Sequence, residues 1–392
     1  MISRFVYARL LRRVEVGAVS IELSNRRLVG EGPKPGPTAH IHMAYPGRAL
    51  WSVIRNGGVG FAEAYLNGHW DTDDLTATLE VIARNLDIHV REHPPGRVLK
   101  ALRRAWQWVT SRTGSEIPSI GDHYNLGNDF YTAWLDATMT YSSGVFTADG
   151  ADLTAAQVEK YRRIAELAGI EPGDHVLEIG CGWGGFAEYA ATEIGASVTG
   201  LTLSSEQAEF ARERLKAAGV SDRTEIRLQD FRSETGTYDK IVSIEMIESI
   251  PADLWPALFD QMRDRLPPGG SAAMQAITID GRLFDSLLER DDYISKHIFP
   301  GGALPSVDKV SELAGDRGFR ITSVAAHSQS YARTLQLWRE RFEDAWPVLR
   351  RFDLDERFRR AWRYYLAYCE AGFRIGRIDV HQFGFVRRPA TP

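Results

Sequence analysis

The clearest pattern of hydrophobic and polar positions lies mid-chain, where a mostly apolar run, Val176–Ile179, ends in closely spaced glycines. The run predicts a buried strand, and Phe186–Ile194 predicts the helix that follows it. Helical spacing over Thr154–Ala168 predicts a helix before this strand, and Ser197–Thr202 predicts a second strand one helix later. Together these elements predict a βαβ unit, as in parallel sheets.

The glycines Gly180, Gly182 and Gly184 let the chain turn and pass close to a ligand, because no Cβ stands in the way. Such loops also serve dinucleotide enzymes and plain tight connections. A dinucleotide site usually has an acidic residue at the end of the second strand, where this chain has Thr202 and Leu203.

Polar residues in the neighbouring loops point to an adenosine group. We expect Thr202, Leu203 and Gln207 to hold the ribose or adenosine. Gln229 and Asp230 precede another predicted strand, Tyr238–Ser243, and are placed to read the adenine, although Asp230 is open to interpretation as a turn residue. This set resembles the S-adenosylmethionine (SAM) site of class I methyltransferases.

Composition narrows the function classes. The chain has 392 residues, 44% of them hydrophobic, which is enough for two domains, and its net charge of −5 argues against a nucleic-acid partner. The two cysteines, Cys181 and Cys369, lie in apolar surroundings, which favours a reducing compartment such as the cytoplasm over a disulfide framework. No apolar run approaches the roughly 20 residues that span a bilayer, and no His or Cys pair has metal-ligand spacing.

Several blocks then resemble the cyclopropane fatty acid synthase family in order and spacing. They are His123–Phe130, Thr140–Ser143, Glu245–Glu248, Tyr293–Ser306, Tyr331–Leu335 and Leu337–Phe342, and a looser block is Gly60–Trp70. The resemblance implies an α/β fold: the mostly parallel, Rossmann-like sheet of a class I SAM methyltransferase with helical insertions, beside a smaller N-terminal α+β domain. It also implies SAM as the cofactor and a bound bicarbonate as the base.

The resemblance assigns site residues by motif. Tyr141 and Ser142 would close over SAM, and the bicarbonate ligands would be Ser143, Glu248, Gln275, Ile277 and Tyr331. Ser143 and Gln275 depart from the cysteine and histidine common in the family, but both can still hydrogen-bond an anion. Glu245 and Glu248 also fit a solvated helix start; the functional interpretation is favoured for Glu248 and less so for Glu245. His123 is interpreted as structural or pocket-lining, and Cys181 as a small buried residue.

Sequence order predicts a lipid-engaging domain over 1–105, a linker over 106–120 and a methyltransferase domain over 121–392. The segment Arg97–Trp108 carries four cations and two tryptophans, which suits a membrane surface as well as an ordinary helix. Helices predicted within Thr334–Arg377 would help to build the acyl pocket. We expect a cytoplasmic protein, peripheral at the inner membrane surface, with unsaturated phospholipid as its partner and a homodimer as a possible state.

The expected reaction transfers the SAM methyl group to the cis double bond of a phospholipid acyl chain, followed by proton loss to close a cyclopropane. The blocks Gln275–Thr278 and Tyr365–Arg374 look as close to tuberculostearate-type methyltransferases, which implies an alternative 10-methylene or methyl-branched product. A third alternative, from another class, is a non-catalytic lipid-binding protein that kept the fold.

Overall fold

The computed structural model describes residues 2–24, 26–92, 126–148, 150–288 and 292–389. These residues cluster into two units. Unit 1 takes its described residues from Met1–Asn125, Asp292–Pro300 and Phe352–Ile375, and unit 2 takes its own from Leu126–Asp291, Gly301–Arg351 and Gly376–Pro392.

The helices in chain order are α1 (Ile2–Leu11), α2 (Pro46–Leu66), α3 (Leu75–Glu92), α4 (Asn128–Thr132), α5 (Leu153–Ala168), α6 (Gly185–Tyr189), α7 (Ser205–Ala217), α8 (Trp255–Arg265), α9 (Gly281–Leu288), α10 (Tyr293–His297), α11 (Val307–Asp316), α12 (Ser328–Leu349) and α13 (Glu356–Arg374). A π-helical turn, Ala190–Ile194, continues α6, and short 3₁₀ turns cover Phe231–Ser233, Ile247–Ser249, Ala252–Leu254 and Arg350–Phe352.

The strands are β1 (Val16–Leu23), β2 (Arg26–Glu31), β3 (Lys34–His42), β4 (Asp71–Thr72), β5 (His175–Ile179), β6 (Ser197–Thr202), β7 (Thr224–Leu228), β8 (Lys240–Ile244), β9 (Ser271–Ile279), β10 (Phe319–Ala326) and β11 (Ile378–Arg387). Unit 1 contains a four-stranded sheet in the order β2-β1-β3-β4, in which only β1 and β3 are parallel.

Unit 2 is built on a seven-stranded sheet in the order β10-β11-β9-β8-β5-β6-β7. The pairs from β9 through β8, β5 and β6 to β7 are parallel, and β11 is antiparallel to both of its neighbours. Apolar residues on both faces of β5 and β8 are buried, as in a sheet covered by helices on both sides. The predicted α/β fold with a mostly parallel sheet is therefore confirmed.

The predicted βαβ unit is present with nearly the predicted bounds. Helix α5 begins where the Asp152 carboxylate accepts a hydrogen bond from the Ala155 N–H, and it ends at Gly169, which has a φ of +62°. Strand β6 spans the predicted Ser197–Thr202. A Cβ at Gly200 would lie 2.8 Å from Ile226 Cδ1 and 2.9 Å from Cys181 Cβ, so glycine leaves room for the loop after β5.

Two later segments, Asp292–Pro300 and Phe352–Ile375, belong to unit 1. The sequence predicts both within the methyltransferase domain. In α13, Arg360 Nε donates to Tyr65 O at 2.7 Å, and its guanidinium lies 4.0 Å from the centre of the Tyr65 ring. Thr76 Oγ1 donates to the buried Glu370 at 2.9 Å. Only the first of the two predicted C-terminal helices, α12, therefore belongs with the seven-stranded sheet, because the buried face of α13 packs on α2 and α3.

Three sequence predictions lie outside the described residues: the role of His123, the linker over 106–120 and the basic segment Arg97–Trp108. Among the helices of the described ranges, none has both the length and the apolar character needed to cross a membrane.

We predict that Gly200→Ala destabilises the protein by about 1–3 kcal/mol, the usual cost of overpacking a close-packed interior. Gly315→Ala is the matched control, since its Cβ would meet nothing within 4 Å and it lies in α11. In a helix that change is neutral or stabilising by up to about 1 kcal/mol. Thermal unfolding of both variants checks the prediction, and equal melting temperatures would contradict it.

Candidate active site

The candidate site is built around a glutamate directly after β8. Glu245 has a φ of +50°, a left-handed conformation that costs a non-glycine residue about 1–3 kcal/mol. Its N–H donates to Gln275 O of β9 at 2.8 Å, which holds the strand end in place. The strained backbone points the Glu245 side chain toward three hydrogen-bond donors from separate parts of unit 2.

Those donors are a backbone amide, a side-chain amide and a phenol. Ser143 N–H donates to Glu245 Oε1 at 2.8 Å, and Gln275 Nε2 donates to the same oxygen at 2.7 Å. Tyr331 Oη donates to Glu245 Oε2 at 2.6 Å. Burial raises the pKa of Glu245, while the hydrogen bonds from Tyr331 and Gln275 and the positive charge of Lys160 oppose that shift.

The donors are themselves fixed by neighbouring groups. Gln275 Oε1 accepts a hydrogen bond from Gln382 Nε2 at 2.9 Å, which sets the orientation of the Gln275 amide. The segment around Ser143 is tied to α12, because Gly144 N–H donates to Thr334 Oγ1 at 3.2 Å. Ser143, Gln275 and Gln382 are each about 1% exposed, so the arrangement is shielded from water.

Glu248, the predicted catalytic carboxylate, has different partners. Its Oε1 accepts a hydrogen bond from Ile277 N–H, and its buried Oε2 has no hydrogen-bond partner. Burial and the negative charge of Glu245 raise the pKa of Glu248 to about 8. Two neighbouring carboxyl groups with raised pKa values thus lie at the carboxyl end of β8, where open α/β sheets bind ligands.

A buried lysine acts electrostatically on Glu245. Lys160 of α5 is fully buried, and its Nζ donates to Ser142 Oγ and to Gln157 Oε1, both at 2.6 Å. Burial lowers the pKa of Lys160 to about 7, against the opposing negative charges of Glu245 and Asp136. Its positive form favours the ionised form of Glu245.

Aromatic rings surround the segment that carries Ser142 and Ser143. The Tyr141 ring centre lies 5.2 Å from that of Trp338 and 5.6 Å from that of Tyr131. The Tyr331 and Trp338 rings meet edge to face, with their centres 6.2 Å apart. By contrast Tyr293, in an aromatic-rich family block, donates to Ala361 O within unit 1.

The glycine loop has the geometry expected of a cofactor cradle. Gly180, Gly182 and Gly184 all have positive φ, at +86°, +52° and +79°. A Cβ at Gly180 would lie 2.8 Å from Met246 Cγ, whereas a Cβ at Gly182 would meet nothing within 4 Å. The backbone beside Gly182 is therefore open to a molecule, which fits an adenosyl group at this loop.

The remaining predicted cofactor residues lie at the ends of β6 and β7. Thr202 Oγ1 donates to Gln207 Oε1 at 2.8 Å, and Leu203 beside them is 73% exposed. Gln229 Nε2 donates to Glu234 at 3.0 Å. Asp230 caps the turn Phe231–Ser233 and pairs with Arg232. Its carboxylate therefore stabilises a turn, which is the alternative interpretation of this residue from the sequence. The cofactor roles of these residues stay predictions.

The structure thus brings Ser143, Gln275 and Tyr331 together at Glu245, and Ile277 to Glu248. Sequence reasoning gave Glu245 the smaller role, because a left-handed residue at a strand end leaves no mark in the sequence. The sequence analysis does not identify Lys160 or Gln382 as site residues. Lys160 shares the buried face of α5 with Gln157 and Tyr161 at helical spacing, and that spacing was the available signal.

The fold and this site define a SAM-dependent class I methyltransferase. A family model described as mycolic acid cyclopropane synthetase matches residues 111–383. The chain belongs to this cyclopropane synthase family, as its sequence blocks predicted.

Individual relatives agree with the family match. The chain is 38% identical to tuberculostearic acid methyltransferase UfaA1 of Mycobacterium tuberculosis, over 98% of this chain and 92% of that protein. It is 33% identical to cyclopropane-fatty-acyl-phospholipid synthase of Escherichia coli, over 86% of this chain and 85% of that protein. A crystal structure of mycolic acid cyclopropane synthase CmaA1 with SAH and CTAB superposes with a TM-score of 0.63 at 31% identity, covering 68% and 97% of the two chains.

We predict that Gly182→Ala weakens SAM binding about tenfold or more, because its Cβ would enter the space left for the cofactor. Gly219→Ala is a matched control: Gly219 also has a positive φ, +72°, and its Cβ would meet nothing within 4 Å. The backbone strain is therefore similar in both variants. Calorimetric titration with SAM should show normal affinity for Gly219→Ala; equal affinities in the two variants would place SAM elsewhere.

Proposed function

We propose that this methyltransferase acts on the cis double bond of an unsaturated fatty-acyl chain carried by a phospholipid, and that proton loss then closes a cyclopropane ring. The observation that carries this proposal is the Glu245 carboxylate, which Tyr331 connects to the Tyr141–Trp338 aromatic pair: Tyr331 Oη donates to Glu245, and the Tyr331 ring meets that of Trp338. The names of the relatives, which act on fatty-acyl substrates, support the same substrate class.

The chemistry needs a dry, electron-rich site. Bound SAM supplies an electrophilic methyl group, and the alkene that takes it becomes a carbocation. The faces of Tyr141, Trp338 and Tyr331 can stabilise such a cation, since aromatic rings attract positive charge. Trp338 and Tyr331 are buried and Tyr141 is partly buried, which limits the access of water that could trap the cation before a proton leaves.

Bicarbonate, which the resemblance implies as the base, does not fit the hydrogen bonds of its predicted ligands. Ser143 N–H and Tyr331 Oη donate to Glu245. Gln275 Nε2 donates to Glu245 and to Ser143 O, and Ser143 Oγ donates to Gly144 O. Ile277 N–H donates to Glu248. The donors expected to hold bicarbonate are therefore already bonded within the protein.

A second product is a methylene- or methyl-branched chain, formed when a hydride shift precedes proton loss. The 38% identity to tuberculostearic acid methyltransferase UfaA1 over nearly the whole chain favours this candidate. Both reactions share the first step, so the position of the proton acceptor decides between them.

The decisive experiment incubates the protein with SAM and vesicles of cis-monounsaturated phospholipid, then examines the lipids by mass spectrometry and proton NMR. We predict a gain of one CH₂ with cyclopropane ring signals, lost in Glu248→Gln and kept in Glu312→Gln, an exposed glutamate on α11. Exocyclic methylene signals would establish the branched product instead. No mass gain in the presence of bound SAM would contradict methyl transfer to these lipids.

We also propose that unit 1 binds an anionic membrane surface through α1 and the start of α2. The two helices touch, because Tyr7 Oη donates to Pro46 O at 2.8 Å. Large apolar side chains are exposed on both: Phe5 at 70%, Trp51 at 66% and Ile54 at 64%. Exposed arginines lie on the same helices, at Arg4, Arg9, Arg48 and Arg55. Apolar side chains mixed with cations are typical of interfacial helices.

We predict that Trp51→Ser with Ile54→Ser weakens binding to phosphatidylglycerol vesicles by about 30- to 1,000-fold, since each of the two buried apolar side chains contributes roughly 1–2 kcal/mol. Val324→Ser with Val348→Ser is the control, because both valines are exposed and belong to unit 2. Vesicle flotation measures the binding. Equal losses in both double variants would contradict a specific surface on unit 1.

A further inference from the structure

The Glu245 carboxylate accepts donors from the residues that the family resemblance assigns to an anion. Ser143 and Gln275 both bond Oε1, and Tyr331 bonds Oε2. Three of the five predicted bicarbonate ligands therefore already donate to an anion, and that anion is the carboxylate of Glu245. An additional anion at the same donors would have to displace a carboxylate whose own negative charge repels it.

The carboxylate keeps capacity for one more partner. An ionised carboxylate offers about four acceptor positions, and three are used here, so one remains on Oε2. Taken as a whole, the Glu245 residue is partly buried. The neighbouring Glu248 lacks this arrangement, because its Oε1 accepts a hydrogen bond from Ile277 N–H and its Oε2 is buried and unpartnered.

We propose that Glu245 takes the place of bicarbonate in this protein and is the general base of the reaction. The inference rests on the proposed function. After the alkene has taken the methyl group, a C–H bond of the cation breaks, and its electron pair closes the ring as the third C–C bond. The proton passes to Oε2 of Glu245, which becomes neutral and returns that proton to water before the next turnover.

Two features of the protein suit Glu245 to this role. Burial raises its pKa above the usual value for a glutamate, which makes its carboxylate a stronger proton acceptor. Lys160 opposes protonation of Glu245 with its positive charge.

The test compares the protein with Glu245→Gln and Glu245→Gly in bicarbonate-free buffer and in buffer with added bicarbonate. We predict a wild-type rate that does not depend on bicarbonate, and a fall of about 10²- to 10⁴-fold in Glu245→Gln. Glu245→Gly should recover activity with bicarbonate, because it frees the donors of Ser143, Gln275 and Tyr331. Glycine also suits the φ of +50°, so this variant is not strained.

Binding gives a readout besides activity. Carbon-13 NMR with labelled bicarbonate should show binding to Glu245→Gly and none to the wild type, while calorimetry should show unchanged SAM affinity in both. A bicarbonate-dependent wild type, or an active Glu245→Gln, would overturn the inference and leave the proposed function standing. If no lipid is methylated under any condition, the proposed function fails, and bicarbonate binding to the wild type would then overturn the inference independently.

Discussion

The buried carboxylate of Glu245 is the interaction on which the candidate site depends. An ionised group in a shielded interior is costly unless donors compensate it, and here three donors converge from separate parts of the unit. Ser143 comes from the segment before α5, Gln275 from β9 and Tyr331 from α12. The strained backbone of Glu245 is kept because these contacts fix its side chain in one position.

The surroundings of this carboxylate combine a lysine, aromatic rings and a second carboxyl group. A buried cation, Lys160, lies on one side of the segment that supplies Ser143, bonded to Ser142. Aromatic rings centred on Trp338 line that segment as well. The combination suits a reaction in which a cation forms and then loses a proton, since rings stabilise the cation and the carboxylate accepts the proton. Glu248 adds a second carboxyl, held by the backbone of β9.

The sequence predicted what periodicity and glycine chemistry control. The βαβ unit, the loop of Gly180 to Gly184 and the family blocks follow from patterns that each span several residues. The position of Glu245 could not be predicted, because a left-handed φ at a non-glycine residue depends on tertiary contacts. The packing of α13 on α2 and α3 could not be predicted for a related reason: an apolar helix face does not specify which element it packs against. For Asp230 the sequence does not distinguish a turn-capping carboxylate from a ligand-binding one, because aspartate is common in both positions.

A high-resolution crystal structure grown in bicarbonate buffer with S-adenosylhomocysteine bound would test the central claim most directly. The account predicts the Glu245 carboxylate between Ser143 N, Gln275 Nε2 and Tyr331 Oη, with no further anion at those donors. A planar, three-oxygen anion bound there, with the Glu245 side chain turned away, would contradict it.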